Sequence, residues 1–230
     1  MIKKINRFLL VSVLTLISTG AIASTEMHLK DIDVATDTAS RHRGFEVYYN
    51  LCRMCHQLKY VKYQYLKDIG FKKPEIDAMR GTKLVNEHIS STLKESSAMR
   101  LFGKVPPDLS LMAKAREDGP SYIYTLLTSY HVVNGQGKGL FVENSLFNGI
   151  KMPDPFAYSV ASPQRKKKVI SDLKDVVSFL YWASDPKADE RKSMGVWVIG
   201  YLILLSVLLY LIKRRVWSRL PPPVSEVLKH

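Results

Sequence analysis

Between Gly195 and Ile212 the chain runs eighteen residues without a charged side chain. As a helix, at about 1.5 Å per residue, this stretch measures roughly 27 Å, close to the hydrocarbon thickness of a bilayer. Trp197, Tyr201 and Tyr210 stand towards its ends, where aromatic rings prefer the interface. Lys213, Arg214 and Arg215 follow at once. A buried core helix is the competing reading, but three cations directly behind the run favour a single membrane anchor over residues 194–213.

The other end carries a secretory pattern. Lys3, Lys4 and Arg7 precede an apolar stretch from Phe8 to Ile17, and Ala21-Ile22-Ala23 makes a small-x-small cleavage site before Ser24. A signal peptide over 1–23 is expected; a retained signal anchor is the alternative. Basic residues flank the anchor on both sides, Lys187, Arg191 and Lys192 before and Lys213, Arg214, Arg215 and Arg219 after, so they do not orient it. The signal does: residues 24–193 are expected outside the cytoplasmic membrane and 214–230 inside.

This division reinterprets the charge. The whole chain carries +13, but residues 24–193 hold 26 basic against 20 acidic residues, a net +6. Much of what first suggests nucleic acid is therefore membrane topology, and an exported domain does not normally meet nucleic acid; none is expected as a partner.

Within that domain, Cys52-Arg53-Met54-Cys55-His56 uses both cysteines of the chain. C-x-x-C-H is the attachment signature of c-type haem: two thiols at this spacing each add to one vinyl group of a porphyrin, and the adjacent histidine is held under the iron. A covalent bond keeps the cofactor on an exported protein. A disulfide would close only a tiny ring. A thioredoxin-like redox pair is the sharper rival, and it wants a strand before the motif and a long helix beginning in it. Here Arg41–Leu51 precedes the motif, with Phe45, Tyr48, Tyr49 and Cys52 at helical spacing, so a helix is expected to run into the motif instead.

An electron-transfer haem usually takes a sixth ligand, and a thioether holds the potential above that of a second imidazole. Met152 is favoured because Asn148-Gly149-Ile150-Lys151-Met152-Pro153-Asp154-Pro155 is a proline-stiffened loop. Met27, Met79, Met99 and Met112 remain open, as do His28, His42, His88, His131 and His230, with His131 the strongest rival. Met54 lies inside the haem motif and Met194 borders the membrane. Elsewhere, Lys73-Pro74-Glu75 reads as a helix start. Ser121–Tyr130 reads as a packed helix, and Val169, Leu173, Val176, Val177 and Leu180 form an amphipathic stripe. Arg165-Lys166-Lys167-Lys168 reads as a solvated face and Asn134–Gly139 as a flexible loop. No internal repeat is present.

Taken in order, several motifs make the chain resemble the cytochrome c1 family from about Ser40 to Lys213. They are Arg43-Gly44-Phe45-Glu46-Val47-Tyr48 before the haem motif, Pro106-Pro107-Asp108-Leu109-Ser110, Ala115-Arg116 with Tyr122 to Tyr130, Met152-Pro153, and Trp182-Ala183-Ser184-Asp185-Pro186 followed by Arg191-Lys192-Ser193-Met194-Gly195. The resemblance implies a mainly α, class I cytochrome c-like haem domain with one C-terminal transmembrane helix. It also implies one covalently bound haem c with axial ligands His56 and Met152. Cytochrome b and a Rieske iron–sulfur protein are implied as partners, with a cytochrome c as acceptor. By the same likeness Arg116 and Tyr122 contact a haem propionate, a role a guanidinium suits because it donates two parallel hydrogen bonds, and a carbonyl of Pro106 or Pro107 holds the second nitrogen of His56.

The chain departs from the family in two places. Leu101-Phe102-Gly103 stands where many members have Asn-Asn-Gly, so those asparagine contacts are absent. The domain is basic where the family's acceptor face is often acidic. The expected function is electron relay within a quinol–cytochrome c reductase, with no turnover by this chain alone. A stand-alone haem enzyme such as a peroxidase, or a membrane-anchored thiol–disulfide oxidoreductase, is the alternative.

Overall fold

The computed structural model describes residues 28–135 and 139–219. The expected signal peptide, Met27 and His230 lie outside the described residues. Asp37 opens helix α1 (Thr38–Val47) by accepting a hydrogen bond from the Ser40 amide at 2.8 Å, as an N-cap carboxylate does. The helix then widens into a single π turn, Tyr48–Cys52. The expected helix into the haem motif is therefore present, begun three residues earlier than the pattern gave.

The chain continues through β1 (Leu58–Lys62), a 3-10 segment (Tyr63–Ile69), α2 (Lys73–Arg80), β2 (His88–Ile89) and α3 (Glu95–Phe102). β1 and β2 pair antiparallel. The Glu75 carboxylate accepts from the Lys72 amide at 2.6 Å, closing the first turn of α2 where Pro74 signalled it. After α3 come α4 (Gly119–Thr128), β3 (Tyr130–Gly135), β4 (Gly139–Asn144), a 3-10 turn (Tyr158–Val160), α5 (Pro163–Ala183) and α6 (Ala188–Trp217).

Two expectations shift here. The helix expected over Ser121–Tyr130 ends at Thr128, and Tyr130 begins a strand. Asn134, Gly135 and Gly139, expected in a flexible loop, pair within a hairpin whose register sets Asn134 against Leu140 and Gly135 against Gly139. Tyr130, Val132, Val133, Phe141 and Val142 are strand-forming residues on either side of the glycines, and their pairing carries the ladder towards the tip.

The core lies where α1 crosses α5. Every member of the α5 stripe, Val169, Leu173, Val176, Val177 and Leu180, is buried. Phe179 packs edge-on against Phe45, ring centroids 5.3 Å apart, and also against Tyr48 at 5.6 Å. Gly44 permits this approach: a Cβ there would stand 2.0 Å from the Asp175 carbonyl oxygen and 2.8 Å from Phe179 Cβ. Arg43 clamps the same crossing, Nε and Nη2 donating to the two Asp175 carboxylate oxygens at 2.7 and 2.9 Å.

α6 has thirty residues, none of them buried, and contains the whole apolar run. It begins at Ala188 rather than at the apolar boundary, so Arg191 and Lys192 are already helical. Its first turns are tied to the domain by charge. Asp185 accepts from both Arg191 guanidinium nitrogens (2.9 and 2.6 Å) and from Lys114 (2.6 Å). Lys187 reaches Asp68 at 3.7 Å, and Arg41 reaches Asp189 at 3.7 Å.

Candidate haem-binding site

The haem motif closes the π turn. The amides of Cys55 and His56 both donate to the Cys52 carbonyl, at 3.0 and 2.8 Å, which folds the five residues into one tight bend. No helix begins in the motif; Gln57 leads directly into β1. That is the reverse of a thioredoxin-like site. Burial, and then the neighbouring Cys55, pushes the Cys52 thiol up to about 12. In the unmodified chain it is therefore a protonated thiol, not a thiolate nucleophile.

His56 is buried, 9% exposed. Its backbone carbonyl accepts from the buried Tyr48 hydroxyl at 2.9 Å. Its Nδ1 lies 2.7 Å from the Pro107 carbonyl oxygen, an arrangement in which Nδ1 carries the proton and donates. Burial lowers the imidazole pKa against the opposing pull of that carbonyl, so the ring is held neutral. Nε2 then keeps its lone pair, and no described residue hydrogen-bonds to it.

The Pro107 carbonyl is itself fixed. Asp108 accepts from the Lys59 amide through Oδ2 and from the Ser110 amide through Oδ1, both at 2.8 Å. The Leu109 amide donates to the Gln57 carbonyl at 3.0 Å. On the other side the amides of Thr92 and Leu93 donate to the carbonyls of Arg53 and Met54, at 3.2 and 3.0 Å. The motif is strapped down by two separate segments. The role of Asp108 was missed from sequence, although an aspartate two residues before a serine is a local turn signal.

Met152 lies in the loop after β4, partly buried and packed against the core. Its carbonyl accepts from the buried Tyr130 hydroxyl at 3.0 Å. Asp154 fixes the next turn by accepting from the amides of Phe156 (3.3 Å) and Ser159 (2.8 Å). A cavity of about 400 Å³ opens here, lined by Met152 together with Tyr130, Val142, Pro153 and Val160.

The rivals are placed less favourably. His131 is exposed on the hairpin, with Nδ1 near the Ser129 carbonyl and the Ser145 hydroxyl. His42 stacks on Phe71 at 3.7 Å and faces Ile69 and Glu46. His28 and His88 are exposed, as are Met99 and Met194, whereas Met79 and Met112 are partly buried against the core.

Arg116 is exposed and lies 4.5 Å over the half-buried Tyr122 ring. Gly119 makes this return tight, since a Cβ there would stand 2.2 Å from the Ala113 carbonyl oxygen.

Paired thiols beside a buried neutral imidazole, oriented through Nδ1 and with Nε2 available, form a donor set that fits a c-type haem. Residues 28–96 and 80–220 match the family model of the Cytochrome C1 family.

The chain belongs to the cytochrome c1 family.

It is similar to cytochrome c1 of Rhodospirillum rubrum, 32% identical over 222 residues that cover 79% of this chain and 82% of the relative. Cytochrome c1 of Allochromatium vinosum is 28% identical over 244 residues, covering 93% and 98%. A mitochondrial cytochrome c1 haem protein of Arabidopsis thaliana is 32% identical over 215 residues, covering 79% and 67%. The fold is thus the class I cytochrome c type, the cofactor is one haem c, and the protein is a haem-bearing electron carrier. Among the described residues, α6 is the one helix long and apolar enough to cross a membrane.

Proposed function

We propose that this member of the cytochrome c1 family is the electron-relay subunit of a quinol–cytochrome c reductase. It receives electrons from a Rieske iron–sulfur protein, works beside cytochrome b, and delivers to a cytochrome c. The haem supplies a one-electron ferric/ferrous couple. Cys52 and Cys55 would anchor it, His56 Nε2 and the Met152 sulfur would ligate its iron, and Arg116 with Tyr122 would meet a propionate. Residues 24–193 stand on the periplasmic side of the bacterial inner membrane, 194–213 form the anchor and 214–230 stay in the cytoplasm.

The observation that carries this reading is the 2.7 Å contact from His56 Nδ1 to the Pro107 carbonyl, in a C-x-x-C-H motif on a cytochrome c1 scaffold. It fixes the tautomer and makes Nε2 a stronger donor, as a carbonyl partner does for a ligating histidine. The chain needs no acid–base machinery of its own. Quinol oxidation belongs to the assembled complex.

The test is quinol-driven reduction in membranes, followed at the haem c absorption. Reduction that requires the Rieske protein, with a low-spin six-coordinate spectrum and haem retained through acid–acetone extraction, is the expected result. A high-spin spectrum would point to a peroxidase-like enzyme. Haem absent altogether, with thiols that cycle to a disulfide, would mark a thiol–disulfide oxidoreductase.

A further inference from the structure

Arg53 occupies the first position between the two cysteines, and two features of its surroundings are unusual. Its Nε is buried with no hydrogen-bond partner, and so is the hydroxyl of Tyr63, a residue with no exposed surface. The guanidinium carbon lies 4.6 Å over the Tyr49 ring. Tyr49 is held in turn by its hydroxyl, which donates to the Met79 carbonyl at 3.1 Å. The backbone of Arg53 is pinned too: its amide donates to the Tyr48 carbonyl at 2.8 Å, and its carbonyl accepts from Thr92. No carboxylate of the described residues lies within ion-pair distance of it. Arg41, Arg43 and Arg80 each have one.

A guanidinium cannot shed its proton to escape burial. Withdrawing even part of it from water without a carboxylate is costly, and neither the attachment chemistry nor the axial ligation uses it. It does supply a positive charge on a half-buried side chain whose Nε is shut away from water, fixed between the two residues that hold the porphyrin.

We propose that Arg53 is a potential-setting residue: its half-buried, acid-free charge favours the ferrous over the ferric haem and raises the reduction potential of this protein. Ferric haem carries one more positive charge than ferrous, so a nearby fixed cation penalises the oxidised state more. Tyr49 holds the guanidinium by its ring face. This rests on the attachment of haem through Cys52 and Cys55 proposed above, which acid–acetone extraction checks separately.

The experiment is a spectroscopic redox titration of the full chain in detergent at low and high ionic strength, for wild type, Arg53→Lys, Arg53→Gln and Tyr63→Phe. Arg53→Gln should titrate at a lower potential, and the difference should shrink but persist at high salt because the side chain is half-buried. Arg53→Lys keeps the charge and loses the planar stacking, so it should stay nearer wild type in potential while melting at a lower temperature. Tyr63→Phe removes the unpartnered hydroxyl and not the charge, and should hold the wild-type potential. Arg53→Met is the second neutral variant should the glutamine form fail to retain haem. An unchanged or higher potential in the neutral variants overturns the proposal. So does a shift that vanishes in salt, or an equal drop in Tyr63→Phe.

Discussion

Gly44 of α1 lies so close to Asp175 of α5 that a Cβ on the glycine would stand 2.0 Å from the aspartate carbonyl oxygen. The obstacle is backbone, which no rotamer change relieves, and Phe179 Cβ at 2.8 Å blocks the other direction. Gly44→Ala should therefore part the two helices and spoil the Phe45–Phe179 packing, costing at least about 3 kcal/mol, the upper part of the range for overpacked cores. Urea unfolding of the detergent-solubilised chain measures it. A midpoint equal to wild type would mean that α1 and α5 do not meet as closely as this.

Met152 is tested by spectrum and potential together. Met152→Leu should lose the weak red absorption band of sulfur-ligated ferric haem and titrate lower. Met152→His should also titrate lower while staying six-coordinate, since imidazole favours the ferric state more than thioether does. If Met152→Leu changes neither property, Met79 and Met112, the other partly buried methionines, become the candidates ahead of the exposed His131.

Periodicity and composition made the load on α5 readable in advance. All five residues of its stripe are buried because a 3.6-residue repeat admits one inward face. The haem motif was readable because its chemistry demands fixed spacing. The hairpin was not: Gly135 and Gly139 look like loop residues until Tyr130–Val133 and Phe141–Val142 are seen pairing, and pairing is a non-local property. The Pro107 contact with His56 came from likeness to a family, since no local pattern joins residues 51 positions apart. The burial of the Arg53 Nε left no signal at all, because a charged residue in a turn reads as exposed.

The topology has a direct check. Truncation before Gly195 should release a soluble domain that keeps its haem, since no residue of α6 is buried in the domain. A tag placed after Trp217 should be protected in intact cells and exposed in inverted vesicles. A tag reached from outside intact cells would reverse the orientation argued from the signal peptide.

The acceptor is expected to be acidic or nearly neutral. Residues 24–193 carry a net +6, and two ionised propionates lower this by about two. A positive surface speeds an acidic partner and slows a basic one, and salt screens both effects. Stopped-flow oxidation of the reduced chain by one acidic and one basic cytochrome c, across ionic strength, decides it. A basic partner that is faster at low salt and slows steeply as salt rises would mean that the docking face is acidic despite the net charge.

Asp185, finally, should govern how the haem domain is mounted on its anchor. Its carboxylate is 16% exposed and takes three charge-assisted bonds, two from Arg191 in the first turns of α6 and one from Lys114 in the loop that follows the Pro107 segment. The hydrogen bonds from Arg191, then that from Lys114, hold its pKa far below the ordinary carboxylate range. A carboxylate depressed on folding contributes stability that is fully present above its unfolded pKa, about 4, and is lost as pH falls through the folded value. The joint should therefore stay closed from neutral pH down through the range in which exposed carboxylates protonate. Asp185→Asn removes the charge at every pH and leaves Arg191 and Lys114 without their shared partner. Ion pairs near a surface add little to global stability, so the melting temperature should move only slightly. What should change is local: trypsin should cut at Lys187, Arg191 and Lys192 faster than in wild type, at both neutral and mildly acidic pH. Equal cleavage of the two proteins would show that α6 is held by helix continuity alone, and that the cluster around Asp185 does not brace it.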